Sequence, residues 1–186
     1  MLNPFSSKQM LLRLCATLLS VISIAGGCSY IPTENPIETS TSDKYMISAA
    51  NPLAARAGAE IMRIGGTAVD AAIAAQLVLT LVEPQSSGIG GGAFLMHYNA
   101  QTGTVESYDG REVAPTSAQP KMFMRNGKPM KFLDAAASGI SVGVPGLLRM
   151  LELAHRDHGK LPWGTLFQPA IELAERGFSI SHRLAK

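Results

Sequence analysis

Residues 67–82 constrain this chain more than any other stretch. Thr67 is followed by AVDAAIAAQLVLTLV, in which Ala71, Ala72, Ile73, Ala74, Ala75, Leu77, Val78, Leu79 and Leu81 leave no broad polar face. A surface helix carries one apolar stripe, whereas a helix that is apolar nearly all round is buried on most sides. Thr67 suits the N-cap, and Asp70 lies in the first turn, where the helix dipole favours negative charge. Such a helix must sit inside a packed domain. The 186 residues, 46% of them hydrophobic, are enough for roughly one domain. Aromatics make up 6% while Ala and Gly are plentiful, which favours close helix–sheet packing over large aromatic anchors.

The neighbouring segments supply the rest of that domain. Residues 45–50 lean apolar and predict a first strand. Asn51 then caps and Pro52 opens a helix whose apolar positions 53, 57, 61 and 64 follow the helical period, ended by Gly65-Gly66. After the buried helix comes a glycine-rich loop, residues 83–92 (EPQSSGIGGG). Residues 93–98 and 104–108 predict a hairpin joined by a turn at 99–103. Residues 114–131, with Pro115, Pro120 and Pro129, predict loop, and residues 141–144 a short extended piece. A helix runs from Pro145 or Gly146 to His158, with Gly159 beyond it. Another spans 163–176 and stops at Gly177, and Ser181 caps the start of one more. A chain ending one turn into a helix cannot repay helix nucleation. Residue 186 is therefore expected to be a truncation point.

The first 27 residues predict an export signal. Lys8 and Arg13 precede the apolar run 14–25 (LCATLLSVISIA), which is too short to span a membrane. Ala25-Gly26-Gly27 places small residues directly before Cys28, the arrangement for lipidation and cleavage at that cysteine. Ordinary secretion with cleavage nearby and no lipid is the alternative. Cys15 lies in the signal, so the mature body has no cysteine for an internal disulfide or thiolate metal site. Residues 28–44, rich in Pro, Ser, Thr, Asn and Glu, predict a flexible linker, and residues 45–186 the folded body. The exported product is expected in the periplasm or held at the membrane only through that lipid. A net charge of +2 with 16% charged residues excludes the basic stripe of a nucleic-acid binder.

Several residues bear on chemistry. Gly88-Ile89-Gly90-Gly91-Gly92-Ala93 fits G-x-G-x-x-A formally, but a dinucleotide fingerprint follows a strand and opens a helix. Here a helix precedes and a strand follows. The glycines instead allow positive φ and close backbone approach, either for packing alone or beside a substrate cleft. His155 and His158 lie one helical turn apart without an evident third ligand, so they predict a surface pair and no metal site. His97 and His182 have no evident partner. Arg111 follows Asp109-Gly110 at a strand end. It suits either an ion pair with Asp109, Glu112 or Glu83, or a bidentate grip on a substrate carboxylate. Spacing alone favours the ion pair. No serine sits in G-x-S-x-G. Thr67, Thr80, Thr102, Thr104, Thr116 and Thr165 lack a recognisable base, so no catalytic nucleophile is expected in this chain.

Six segments occur in order: Asn51-Pro52-Leu53-Ala54; GGTAVDAA at 65–72; EPQSSGIGGG at 83–92; Asp109-Gly110-Arg111-Glu112; SVGVPG at 141–146; and GKLPW at 159–163. Together they resemble the start of the gamma-glutamyltransferase large subunit, from about residue 46 to 186. The resemblance implies an α+β chain with the four-layer αββα N-terminal-nucleophile hydrolase fold, present as an incomplete N-terminal part. It implies a self-cleaving precursor whose freed threonine, in a small subunit absent from this chain, attacks γ-glutamyl compounds such as glutathione. The γ-glutamyl-enzyme then passes its acyl group to water, an amino acid or a peptide, without a cofactor. Arg111 matches the family arginine that grips the glutamyl α-carboxylate, which turns its reading from ion pair to substrate binding. The 186 residues alone are expected to be inactive. Alternatives are a related cephalosporin or glutaryl acylase, or a non-catalytic remnant.

Overall fold

In the computed structural model, Ser42 and residues 44–186 are described. The expected signal, Cys28 and most of the linker lie outside the described residues. Helix α1 (Pro52–Arg63) begins at Asn51, whose side chain accepts from the Leu53 N–H at 2.9 Å, with Pro52 in the first turn. It ends in a Schellman motif: Gly66 N–H donates to Ile61 O and Gly65 N–H to Met62 O, with Gly65 at φ +95°. Helix α2 (Ala68–Val82) follows directly. Thr67 and Asp70 cap it reciprocally, each side chain taking the other's backbone N–H.

The apolar circumference of α2 is explained by two cores. Ala75, Val78 and Val82 pack with Ala54 and Ala57 of α1. Ile73, Ala74 and Leu77 face Leu147, Met150, Leu151 and Ala154 of α4 (Leu147–His158), and Leu166 of a following 3-10 turn. Burying each large aliphatic side chain stabilises by about 1.5–3 kcal/mol. Together the two cores bury α2 around most of its circumference. Gly58 of α1 lets the chain close up: a Cβ there would collide with Ile47 and lie 3.0 Å from Ala71 O.

Strands β1 (Phe94–Asn99) and β2 (Thr104–Asp109) form the expected antiparallel hairpin, with Leu95 opposite Tyr108 and His97 opposite Glu106. Gly103 at φ +70° completes its turn. Leu95 and Tyr108 pack on the larger core. Phe94, Met96, Tyr98 and Val105 point the other way and are 58–75% exposed. One face of the hairpin is therefore seated and the other is bare among the described residues.

Four expectations need correction. Residues 45–50 form no strand. Ile47 and Ala49 are half-buried on the helices while Met46, Ser48 and Ala50 are exposed, so the alternation is real but no described strand lies alongside to form a ladder. Within 114–131 lies a second small hairpin, β3 (Met124–Arg125) with β4 (Lys128–Pro129). Asn126 and Gly127, at φ +51° and +73°, make its turn; both central residues of a type I′ turn need positive φ. A short helix α3 (Phe132–Ala136) follows. The helix expected over 163–176 is divided into a 3-10 turn (Trp163–Phe167) and α5 (Gln168–Arg176). Pro169 has no N–H and its ring opposes the carbonyl four residues back, so the α-helical ladder starts only there. Finally, none of the glycines at 88–92 has positive φ.

Candidate functional site

Three segments meet where β2 ends. Gly110 and Ala93 exchange backbone hydrogen bonds of 2.9 and 3.3 Å, adding one rung to the hairpin. The carbonyl of Gly91 accepts from Gly146 and Leu147 N–H, so the glycine loop supplies the cap that α4 lacks from any side chain. The contact is very tight. A Cβ at Gly92 would lie 2.6 Å from Gly110 O and 2.7 Å from Glu112 Oε2, and one at Gly146 would collide with Gly110 O. Close approach is thus the role of Gly92 and Gly146, while Gly88 and Gly90 face open space.

The loop's other end is fastened by side chains. Gln76 Nε2 donates to Ser87 Oγ and Arg183 Nη2 to Ser86 Oγ, both at 2.7 Å. Buried Glu83 accepts from Asn51 Nδ2 at 2.9 Å, tying the start of the loop to the cap of α1. The Asn51 amide holds the Glu83 carboxyl below the usual carboxylate range, with help from Gln85, Ser181 and Arg183 against the opposing effect of burial. A folded-state pKa that is lowered adds stability above the unfolded value, lost as pH falls through the folded one. Acidification from about pH 5 to pH 3 should therefore lower the urea midpoint more in the wild-type chain than in Glu83→Gln, which keeps an acceptor for Asn51. Equal losses would show that Glu83 is not the titrating group.

Arg111 stands at this junction. Its N–H donates to Asp109 Oδ1 at 2.9 Å, which turns the chain out of β2. Its side chain is 57% exposed, with Nη1 3.2 Å from Glu112 Oε2. Of the three expected ion-pair partners, Glu112 is the one it meets. That carboxylate oxygen is itself buried and accepts no hydrogen bond. Glu112 divides two cavities. One, about 450 Å³, is lined by residues of the glycine loop with Gln76 and Leu147; the other, about 360 Å³, by Arg111, Pro115, Phe123 and Ser141–Gly143. The loop and Arg111, distant in sequence, thus border one region on either side of Glu112.

The histidines differ from expectation. His155 and His158 are not a surface pair. His155 Nε2 donates to Leu161 O at 2.8 Å and lies 3.5 Å from Asp70 Oδ1. His158 Nε2 lies 2.8 Å from both Glu106 Oε2 and Tyr108 Oη. His97, expected to have no partner, stacks on His158 with centroids 3.8 Å apart. Burial, followed by the carboxylate of Asp157, pushes the Tyr108 hydroxyl up to about 12. The hairpin register could have revealed that His97 faces Glu106. The approach of His158 depends on tertiary packing.

Similar proteins place this architecture. The model of the gamma-glutamyltranspeptidase family matches residues 54–186. A glutathione hydrolase proenzyme of Bacillus subtilis (strain 168) is 40% identical over 185 residues, covering 94% of this chain and 31% of that protein. The solved gamma-glutamyltranspeptidase of Helicobacter pylori superposes with a TM-score of 0.74 at 33% identity, over 79% of this chain and 42% of that one. A cephalosporin acylase of Bacillus halodurans superposes less well, with a TM-score of 0.61 at 30% identity, over 80% of this chain and 29% of that one. The helices and hairpins described above are thus part of an α+β N-terminal-nucleophile hydrolase fold. The chain belongs to the gamma-glutamyltranspeptidase family. It spans about a third of the length of the Bacillus proenzyme it matches.

Proposed function

We propose that this chain is the front of a self-processing proenzyme that transfers γ-glutamyl groups from glutathione-like donors to water or an amine. Arg111 holds the donor's α-carboxylate, and a small subunit supplies the nucleophilic threonine. The observation that carries this reading is the position of Asp109-Gly110-Arg111-Glu112. A partly exposed guanidinium stands at a strand end beside a cavity, and the backbone of Arg111 packs on Gly92 of the loop EPQSSGIGGG. The hydroxyls of the described residues support a nucleophile from elsewhere. Thr67 caps a helix, Thr80 bonds back to Leu77 O, Ser87 serves Gln76, and Ser138 and Ser141 bond to backbone carbonyls. Among the described residues, no serine or threonine hydroxyl is hydrogen-bonded to a histidine or lysine that could act as its base.

The test compares the proenzyme carrying this segment with the 186-residue chain alone, on γ-glutamyl and glutaryl anilides. The proenzyme should release the amine from the γ-glutamyl compound and the chain alone from neither. Preference for the glutaryl compound would replace this reading with an acylase. Turnover by the chain alone would place the nucleophile within it.

We also infer export and lipid anchoring at Cys28, from Lys8 and Arg13, the apolar run at 14–25 and the small residues before the cysteine. Mass spectrometry of the mature N-terminus should find a diacylglyceryl-modified Cys28. An unmodified start at another residue would leave export standing and remove the anchor.

A further inference from the structure

We propose that His97, Glu106 and His158 form a binding site for a borderline divalent cation, zinc first, which clamps the β1–β2 hairpin to the end of α4. The three residues come from three elements. His97 and Glu106 are directly opposite in the hairpin register and project toward the core side, and His158 is the last residue of α4. One ligand atom from each lies within 4.8 Å of the others. Donors at 2.0–2.1 Å from a tetrahedral zinc ion stand about 3.4 Å apart. Glu106 Oε2 is 3.6 Å from His97 Nδ1 and 2.8 Å from His158 Nε2, so the separations found bracket that value.

His97 Nδ1 gives an independent sign. It is buried and has no hydrogen-bond partner, and Glu106 Oε2 at 3.6 Å is too far to satisfy it. A buried ring nitrogen left without a partner costs free energy unless something fills the gap. A cation between Nδ1 and the carboxylate would do so. The donor set fits the proposal. Two imidazoles and one carboxylate suit zinc and its first-row neighbours, whereas calcium and magnesium prefer oxygen throughout. Three protein ligands leave a fourth position for water. The Tyr108 hydroxyl, 2.8 Å from His158 Nε2, donates to Asp157 at 3.0 Å and stays protonated beside the site.

The two rings now stack at 25° with centroids 3.8 Å apart, so their lone pairs do not yet converge. Loading the ion requires them to turn out of the stack while Glu106, half exposed, follows. The site is separate from Arg111 and the glycine loop. Its role is structural: it crosslinks residues 97 and 106 to residue 158, and so fixes the hairpin whose far end carries Asp109–Glu112.

The experiment uses the full chain, stripped with chelator, and titrates zinc chloride by calorimetry and Co²⁺ by visible absorption. One equivalent should bind, with Co²⁺ absorption of low-coordinate character, and should raise the melting temperature. His97→Ala and Glu106→Gln should each weaken binding at least tenfold and abolish the zinc-dependent rise in melting temperature. Cys28→Ser and His182→Ala should leave both unchanged. His97→Ala disrupts the least of the polar network, so it separates loss of metal from loss of fold. Its metal-free melting temperature should stay near that of the wild type. No saturable binding in the wild type, or binding that survives His97→Ala but falls with Cys28→Ser, would overturn the proposal.

Discussion

Asp70→Ala should destabilise the chain by about 3–5 kcal/mol, out of the 5–15 kcal/mol typical of a whole domain. Asp70 is fully buried. Its carboxylate takes the N–H groups of Thr67 at 2.9 Å, Lys160 at 3.0 Å and Leu161 at 3.2 Å, with His155 Nε2 at 3.5 Å. One side chain thus caps α2 and also anchors the turn that leaves α4. Truncation leaves three backbone donors without their acceptor, and each unsatisfied donor costs about 1–3 kcal/mol. Partial relaxation and water entry keep the total below their sum. Asp70→Asn keeps an oxygen and should fall between. Thr67→Ala removes one capping acceptor and should cost about 1 kcal/mol. Urea denaturation of the three variants tests the order. A loss below 1 kcal/mol for Asp70→Ala would mean that water replaces the carboxylate freely and that it is not a structural anchor.

Asp70 also marks where sequence reading runs out. Its place in the first turn of α2 was legible, because Thr67 suits the N-cap and the helix dipole favours negative charge there. Its reach to Lys160 and Leu161, some ninety residues away, was not. Nothing local in GKLPW announces a carboxylate acceptor. The same division runs through the fold. Helices α1 and α4 and the first hairpin were legible because each carries its own period and its own stop signal, and α2 because a long apolar run follows the capping Thr67. The Asn126-Gly127 turn was equally local, and the prolines on either side obscured it. Residues 45–50 alternate as a strand should, but a ladder is a property of two strands and no sequence period supplies the second.

The candidate site divides in the same way. Arg111 and the glycine loop were legible through their motifs. That Gly92 and Gly146 both press on the Gly110 carbonyl, and that Gly91 caps α4, follow from packing. The histidines show the converse error. Helical spacing joined His155 to His158, whereas the fold sends one ring to Asp70 and Leu161 and the other to Glu106 and Tyr108. Positions i and i+3 share a helix face, but a face can meet two different neighbours along its length.

Arg111→Ala in the proenzyme should lower kcat/KM for a γ-glutamyl substrate by about 30-fold to a few thousand-fold, the equivalent of about 2–5 kcal/mol of lost binding. The stability cost should be small. Arg111 is more than half exposed, and its ionic partner among the described residues, Glu112, is its neighbour in sequence and partly buried; a pair open to solvent on the arginine side contributes about 1 kcal/mol or less. A binding role and a structural role therefore predict different results. Binding predicts a large change in kcat/KM at an unchanged melting temperature, and structure predicts the two falling together. Arg111→Lys sharpens the contrast. Lysine can keep the ion pair with Glu112, so a structural arginine tolerates it. It lacks the planar fork that meets both oxygens of a carboxylate, so a binding arginine does not. A donor without the α-carboxylate supplies the last control: it should be a poor substrate for the wild type and lose little further in Arg111→Ala. If both variants keep near-normal kcat/KM at sub-saturating substrate, the guanidinium is a surface ion pair and the carboxylate is held elsewhere.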